Sequence, residues 1–392
     1  MNKNILHTDN QYYINNNISS DLNAILLKKV ALQNVTSKEL VEQIESKNKC
    51  KSKLPTWFNQ PNIYYPNKLN IEQTSSEITA EFKSKLISGN QIIDLTGGFG
   101  VDCFYFSKQF KNVVHCELNE NLSEIVQHNF KILNVTNVDC VALDGLEYLQ
   151  SQSTNFDWIY IDPSRRNDSK GKVFILSDCL PNVPNNLELL WKYSKQILIK
   201  TSPLLDISVG LKELEHVKTI HIIAVNNDVK ELLWTLEHNY IGAIDIKTIN
   251  IKSENLETFD YVLGNEDTTD SKYNEPLTYL YEPNAAVMKS GGFHSVSEHF
   301  ELYKLHKHSH LYTSDELINF PGRTFKVENV VPYNKKALKT LKVQKANIAT
   351  RNFPETVEII RKKLNIKDGG ETYMFFTTNM NDEKICLVCK KA

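Results

Sequence analysis

No apolar run in this 392-residue chain approaches the roughly 18–20 residues that a membrane-spanning helix needs. The opening MNKNILHTDNQYYINNN also lacks the apolar core of a secretory leader, so a cytoplasmic protein is expected. Seven cysteines, an odd number scattered from Cys50 to Cys389, do not make a disulfide framework, and free thiols are expected. Internal repeats and low-complexity tracts are missing apart from short asparagine runs, so the chain does not read as a repeat protein. What remains is an ordinary globular composition, 41% hydrophobic and 23% charged, long enough for two or three domains. Charge, however, is uneven. Residues 301–392 carry 17 Lys and Arg against 10 Asp and Glu, whereas residues 1–300 carry 28 against 37. A basic end suits an anionic partner and equally a solvated lysine-rich face, and charge alone leaves both open.

The middle of the chain alternates two periods. QIIDLTGG, NVVHCELN, VDCVALD, FDWIYIDP and QILIKTSP read as strands, separated by the helical patterns VDCFYFSKQF, ENLSEIVQHNFKILN, GLEYLQS and NLELLWKYS. KTIHIIAV and DIKTINI are expected as further strands around VKELLWTLEH, read as a helix. Such alternation builds an α/β fold, a parallel sheet covered by helices on both faces, with its ligands at the carboxyl ends of the strands. The strand ends are therefore where chemistry is sought. DLTGGFGVD places Gly97, Gly98 and Gly100 where backbone can approach a ligand at a helix N-terminus. The third glycine of a dinucleotide fingerprint is missing, since Cys103 stands there, which argues against a pyrophosphate on this turn. Glu117, closing the second strand, suits two ribose hydroxyls. Asp144 is expected to end the third strand, where a carboxylate can accept from an adenine amino group, and Asp162 the fourth, beside a reacting centre.

Asp94 with the Thr96-to-Gly100 loop, Glu117, Asp144 and Asp162-Pro163, in that order, resemble the successive strand-end motifs of class I S-adenosylmethionine-dependent methyltransferases over roughly residues 73–250. The resemblance implies a Rossmann-like sheet and S-adenosyl-L-methionine as cofactor. It implies too that Asp94, Thr96 and the glycines lie at the methionine and ribose, that Glu117 holds the ribose, that Asp144 reads the adenine and that the Asp162 loop faces the methyl acceptor. EQTSSEITAEFK, YIDPSRR, LYEPNAAVMKSGGF, FPGRTF and RNFPETVEIIRKKLNIKDGGETYMFFTT resemble, more narrowly, bacterial methyltransferases that carry ferredoxin-like and THUMP-like pieces after the catalytic domain. That likeness implies an RNA substrate, tRNA or rRNA; if the basic tail grips it, Arg323, Arg351, Arg361, Lys362 and Lys363 are the expected phosphate contacts. A protein or small-molecule methyltransferase and a non-catalytic cofactor-binding RNA-associated module are the alternatives. The expected organisation is an N-terminal helical segment and proline-punctuated linker over residues 1–72, a methyltransferase domain over 73–270, and a basic α+β region over 277–392.

Absences narrow the chemistry further. Amino-group methyltransferases commonly read (Asp/Asn)-Pro-Pro-(Tyr/Phe), but here Ser164 and Arg165 follow Asp162-Pro163, so a stacking ring comes from elsewhere or is absent. Methylation at C5 of a pyrimidine needs a cysteine nucleophile, and IKTSP offers Thr201 and Ser202, with Cys179 the nearest thiol. Direct in-line displacement by a nitrogen or oxygen nucleophile is left, with Asp162, Pro163, Ser164 and Arg165 as the catalytic loop. Arg165, Arg166, Lys170 and Lys172, offset by Asp168, either meet phosphates flanking a nucleotide or pair with Asp168 and Asp178 to brace the loop. Arginines this close are expected to hold Asp162 ionised, as an acceptor for a substrate N–H. His306, His308 and His310 alternate without an acidic or cysteine partner nearby in sequence, so no metal site is expected, and Cys386 and Cys389 are expected in a strand's core. Thr74 and Glu77 have capping-box spacing before a helix burying Ile78, Phe82 and Leu86, while Gln73 and Ser75 are candidates to touch the cofactor's methionine.

Overall fold

A computed structural model describes residues 1–27, 34–165, 175–253 and 255–392; Arg166, Asp168, Lys170 and Lys172 of the cationic loop lie outside these residues. The chain divides into two compact units, Met1–Val217 with Leu233–Tyr240, and Lys218–Leu232 with Ile241–Ala392.

In the first unit, β1 (Gln91–Asp94), β2 (Asn112–Cys116), β3 (Val138–Val141), β4 (Trp158–Ile161) and β5 (Gln196–Thr201) form a parallel sheet in the order β5-β4-β1-β2-β3. The apolar runs explain it: Ile92, Ile93, Ile159, Tyr160, Ile161, Ile197, Leu198 and Ile199 are all fully buried, as strands covered on both faces must be. The order reverses between β1 and β4, so their carboxyl ends form the switch-point crevice in which such sheets hold ligands. The amphipathic helix Glu120–Ile132 buries Leu122, Ile125, Val126 and Phe130 on one face.

The expected proline-punctuated linker is instead packed structure. Pro55 occupies the first turn of the helix Pro55–Asn59, where its missing N–H costs nothing, and Trp57 and Tyr65 are buried. The helix after EQTSS also differs from expectation. Its N-cap is Ser76, whose side chain accepts from Thr79 N, while Thr74 closes the preceding helix Lys68–Gln73. The buried face of Glu77–Ser84 carries Glu77, Ala80, Lys83 and Ser84, and Ile78 is exposed, because this helix covers a polar network described below.

β6 (Val217–Val225) and β7 (Asp228–Glu237) follow, and the segment VKELLWTLEH, expected as a helix, is strand β7. Leu232, Leu233, Trp234 and Leu236 are all fully buried, which needs a strand covered on both faces; one face of a helix could not bury three consecutive large residues. Asn226 and Asn227 take positive φ between the two strands, the backbone of a tight hairpin turn. In the second unit, β8 (Asp245–Ile251) pairs parallel to β6, and β9 (Leu256–Val262) antiparallel to β8.

The second unit ends in a seven-stranded sheet built from β10 (Tyr279–Pro283), β11 (Tyr303–Lys304), β12 (Tyr312–Ser314), β13 (Gly322–Pro332), β14 (Lys345–Thr350), β15 (Lys367–Thr378) and β16 (Lys384–Lys391). Its order is β11-β12-β10-β13-β16-β15-β14, antiparallel except for β14 with β15. Cys386 and Cys389 are buried in this sheet's core, as the sequence suggests. Among the described residues no helix is long and apolar enough to cross a membrane.

Candidate active site

Asp94 ends β1 and is almost wholly buried. Its Oδ1 accepts from Thr96 N at 2.8 Å and from Thr96 Oγ1 at 3.1 Å, and Cys103 Sγ lies 3.4 Å from Oδ2. Burial pushes its carboxyl up to about 7, with Asp102 adding to the effect. Asp94 therefore shapes the loop from beneath. Thr96 Oγ1 also accepts from Asp162 N at 2.7 Å, which ties the end of β1 to the end of β4.

The glycine loop sits against a buried histidine. Burial pushes His115 down to about 4, so the ring is neutral, and its Nε2 donates to Gly98 O at 3.2 Å. A Cβ at Gly97 would collide with that ring. Gly98 takes φ +52°, and a Cβ there would meet only Thr96 O, at 3.8 Å, so backbone alone lines that side of the loop. Gly98 N donates to Glu117 Oε2 at 3.0 Å and Asn119 N to Oε1 at 2.7 Å. The carboxylate is thus fixed by two backbone donors, and each oxygen keeps a lone pair for a vicinal diol. Trp57 braces this loop, with its ring 6.3 Å from that of Phe99.

Asp144 stands beyond the end of β3, as N-cap of the helix Gly145–Gln150, its Oδ1 accepting from Leu146 N at 2.9 Å and Glu147 N at 3.1 Å. Among the described residues Oδ2 has no partner, which leaves an acceptor for an amino group. Leu118 and Leu143, each next to one of these acids in the chain, are exposed and offer apolar surface for a planar ring. Their neighbours in sequence carried the charge signal, so their own role was not read.

Asp162 follows β4, and its Oδ2 is bonded to Nζ of Lys200 on the adjacent strand β5. Sequence reasoning gave this role to the arginines of the loop; among the described side chains the cation at Asp162 is Lys200. Pro163 is buried and Ser164 exposed, and the backbone of Ser164–Arg165 runs antiparallel to Cys179–Leu180 in a two-residue ladder. Cys179 is fully buried, with its Sγ 3.6 Å from Ile175 O.

Beneath the loops lies a polar network that the sequence reading missed. Lys83 Nζ, fully buried, donates to Asp102 Oδ1 at 2.9 Å, Ser75 Oγ at 3.1 Å and Tyr160 Oη at 3.1 Å. Asp102 Oδ2 accepts from Ser75 Oγ at 2.8 Å and Tyr160 Oη at 2.9 Å. Burial would push the Asp102 carboxyl up, but Lys83 and Lys200 together with these hydrogen bonds hold it below the ordinary carboxylate value. The hydroxyl of Ser75 is engaged inside the protein, while Gln73 is exposed at the end of its helix. A lysine four residues after Thr79 on the same helix was the available signal.

A cavity of about 540 Å³ lined by Trp158, Trp191, Lys195 and His238 opens before the starts of β4 and β5, at the opposite strand ends from these loops.

In the basic region four of the five expected phosphate contacts have partners in the chain. Arg323 and Arg351 both bond Glu282, Arg361 bonds Asp368 and the carbonyl of Ala346, and Lys363 lies 2.6 Å from Glu355; Lys362 is exposed. The fold also supplies the acidic neighbour that His306 lacks in sequence, placing its Nε2 3.0 Å from Asp382. Among the described residues no cluster of three or more His, Cys, Asp or Glu could hold a metal ion.

Residues 279–321 match the model of a ferredoxin-like domain and residues 322–391 that of a THUMP domain-like module. Over its whole length the chain is 32% identical to a protein from Porphyromonas gingivalis W83 whose crystal structure is described as that of a "putative methyltransferase"; the TM-score is 0.91, covering 100% of this chain and 99% of that one. The chain belongs to this methyltransferase family. A protein of Mycoplasma mobile named as an uncharacterized RNA methyltransferase is 30% identical over 84 residues, 21% of this chain. The match spans 23% of that curated relative's length. In this methyltransferase the ferredoxin-like and THUMP-like stretches share one sheet, joined where β10 pairs with β13.

Proposed function

We propose that this family member is an S-adenosylmethionine-dependent methyltransferase acting on RNA, tRNA or rRNA, in the cytoplasm. The observation that carries the reading is the Glu117 carboxylate, fixed by Gly98 N and Asn119 N beside the side-chain-free backbone of Gly98. This pair fits a ribose against backbone, and Asp144 Oδ2 fits an adenine amino group. When bound, S-adenosylmethionine supplies an electrophilic methyl group on its sulfonium.

The chain's own work at this site is orientation. Asp162 is held at its backbone by Thr96 and at Oδ2 by Lys200, which leaves Oδ1 to accept a hydrogen bond from the attacking group. A nucleophile so placed attacks in line, and the rate comes from positioning more than from acid–base chemistry. The basic region from residue 277 onward, with its THUMP-like stretch, supports RNA as the acceptor, and residues 73–270 would carry the transfer itself.

Incubation with S-adenosylmethionine labelled in the methyl group and with bulk cellular RNA tests the reading. Label should enter RNA, and Asp162→Ala should abolish it while cofactor affinity stays within a few-fold. Label in protein or small molecules with none in RNA would replace the substrate assignment.

A further inference from the structure

Glu282, in β10, is 3% exposed and carries two arginines at once. Register puts Arg323 of β13 directly opposite it, and Gly322 makes this possible, because a Cβ there would collide with the Glu282 carbonyl. Arg323 Nε lies 2.7 Å from Glu282 Oε2, Nη2 bonds the same oxygen, and the guanidinium lies over the Phe325 ring at 5.4 Å. Arg351 follows the edge strand β14, is fixed by its N–H to Phe376 O at 3.0 Å, and reaches Glu282 Oε1 with Nη2 at 2.7 Å. The three sequence motifs LYEPNAA, FPGRTF and RNFP thus converge on one carboxylate.

A bracket that only neutralised Glu282 would need one guanidinium. The second leaves a surplus positive charge shared by two side chains that remain 47% and 37% exposed. The two cations repel each other, and Arg351 Nε is buried without a partner among the described residues. Nearby, burial pushes His310 down to about 4, and Lys304, His308 and Arg351 press in the same direction, so the local field is positive. An anion bound at the exposed faces of the two guanidiniums relieves their mutual repulsion and the positive field.

We propose that Arg323 and Arg351, held in place by Glu282, form a binding site for a single phosphate group of the RNA backbone. Guanidinium forks match phosphate oxygens, and the buried carboxylate with Phe325 fixes them in advance, so little side-chain freedom is lost on binding. The proposal rests on RNA being the substrate. It restricts the grip of the basic region to a pair whose fold-internal bonds leave 47% and 37% of their side-chain surface free.

The test is RNA binding by the full-length protein, with bulk tRNA, across a series of salt concentrations. Arg323→Gln and Arg351→Gln should each weaken binding about tenfold near physiological salt and flatten the plot of log K against log[salt] by about 0.7. Arg323→Lys should keep the slope and lose part of the affinity, which a charge-independent structural role would not produce. Thermal unfolding and cofactor binding show whether each variant is folded, and Arg323→Lys carries the test if a Gln variant is not. Inorganic phosphate should compete with RNA only at millimolar concentrations. Folded variants whose affinity and salt slope equal those of the parent overturn the proposal, as does saturation by micromolar free phosphate without any effect on RNA binding. Failure of the parent protein to bind RNA at all would instead overturn the RNA reading itself.

Discussion

Lys83→Met tests whether the candidate site stands on the buried network beneath it. The Lys83 side chain is fully buried and that of Asp102 is 11% exposed, with 2.9 Å between Nζ and Oδ1. The gross attraction at that distance, in an effective dielectric of about 20, is about 6 kcal/mol. Desolvation of both groups offsets much of it, but removal of one partner leaves the other charge buried, which costs about 3–5 kcal/mol. For a unit of this size that is a fall in melting temperature of about 6–20 °C. Because the folded pKa of Asp102 is depressed, its contribution is full above the ordinary carboxylate value and is lost as pH falls through the folded one. Without Lys83 burial dominates, so the deficit should be greatest near neutrality and shrink towards pH 4, where Asp102 takes up a proton. Calorimetry and urea unfolding across pH measure this, and Lys83→Met combined with Asp102→Asn should recover most of the loss, since neither charge remains. A loss below about 1 kcal/mol at pH 7, with no dependence on pH, would refute the reasoning.

Glu117→Ala should weaken S-adenosylmethionine binding about ten- to a hundredfold, as a charged acceptor for two hydroxyls is lost, and titration calorimetry showing unchanged affinity would remove the ribose assignment. Lys200→Met should lower kcat on RNA about a hundredfold with cofactor affinity nearly unchanged, since Asp162 loses the bond that orients it; Lys200→Arg should recover part of the rate. Asp94→Asn probes the carboxyl that burial pushes up to about 7. That group's stability contribution is full below about pH 4 and lost as pH rises through 7, by up to about 4 kcal/mol, so the variant should show a flatter stability profile in this window by urea unfolding. A parallel profile would place the titration elsewhere.

What the sequence determined was the alternation of strands and helices and the row of residues at the strand ends. Both follow from short-range rules: an apolar run of five residues bounded by glycine or aspartate ends where it must, and parallel sheets put such ends on one side. Glu117, Asp144 and Asp162 could therefore be named as a set, and the fold places each just past its strand. Local pattern misread VKELLWTLEH, because the leucines that look like one face of a helix are buried on both faces of a strand. It also gave Thr74 the cap of Ser76, and it did not name Lys200 beside Asp162. Lys200 stands 38 residues from Asp162, and Arg351 stands 69 residues from Glu282; adjacency of strands and closure of a sheet's edge bring them together. The same holds for Lys83 and Asp102, which lie on two helices that pack against each other. No local periodicity encodes such pairs, because the energy that selects them, an ion pair shielded from water, exists only once the chain has closed around it.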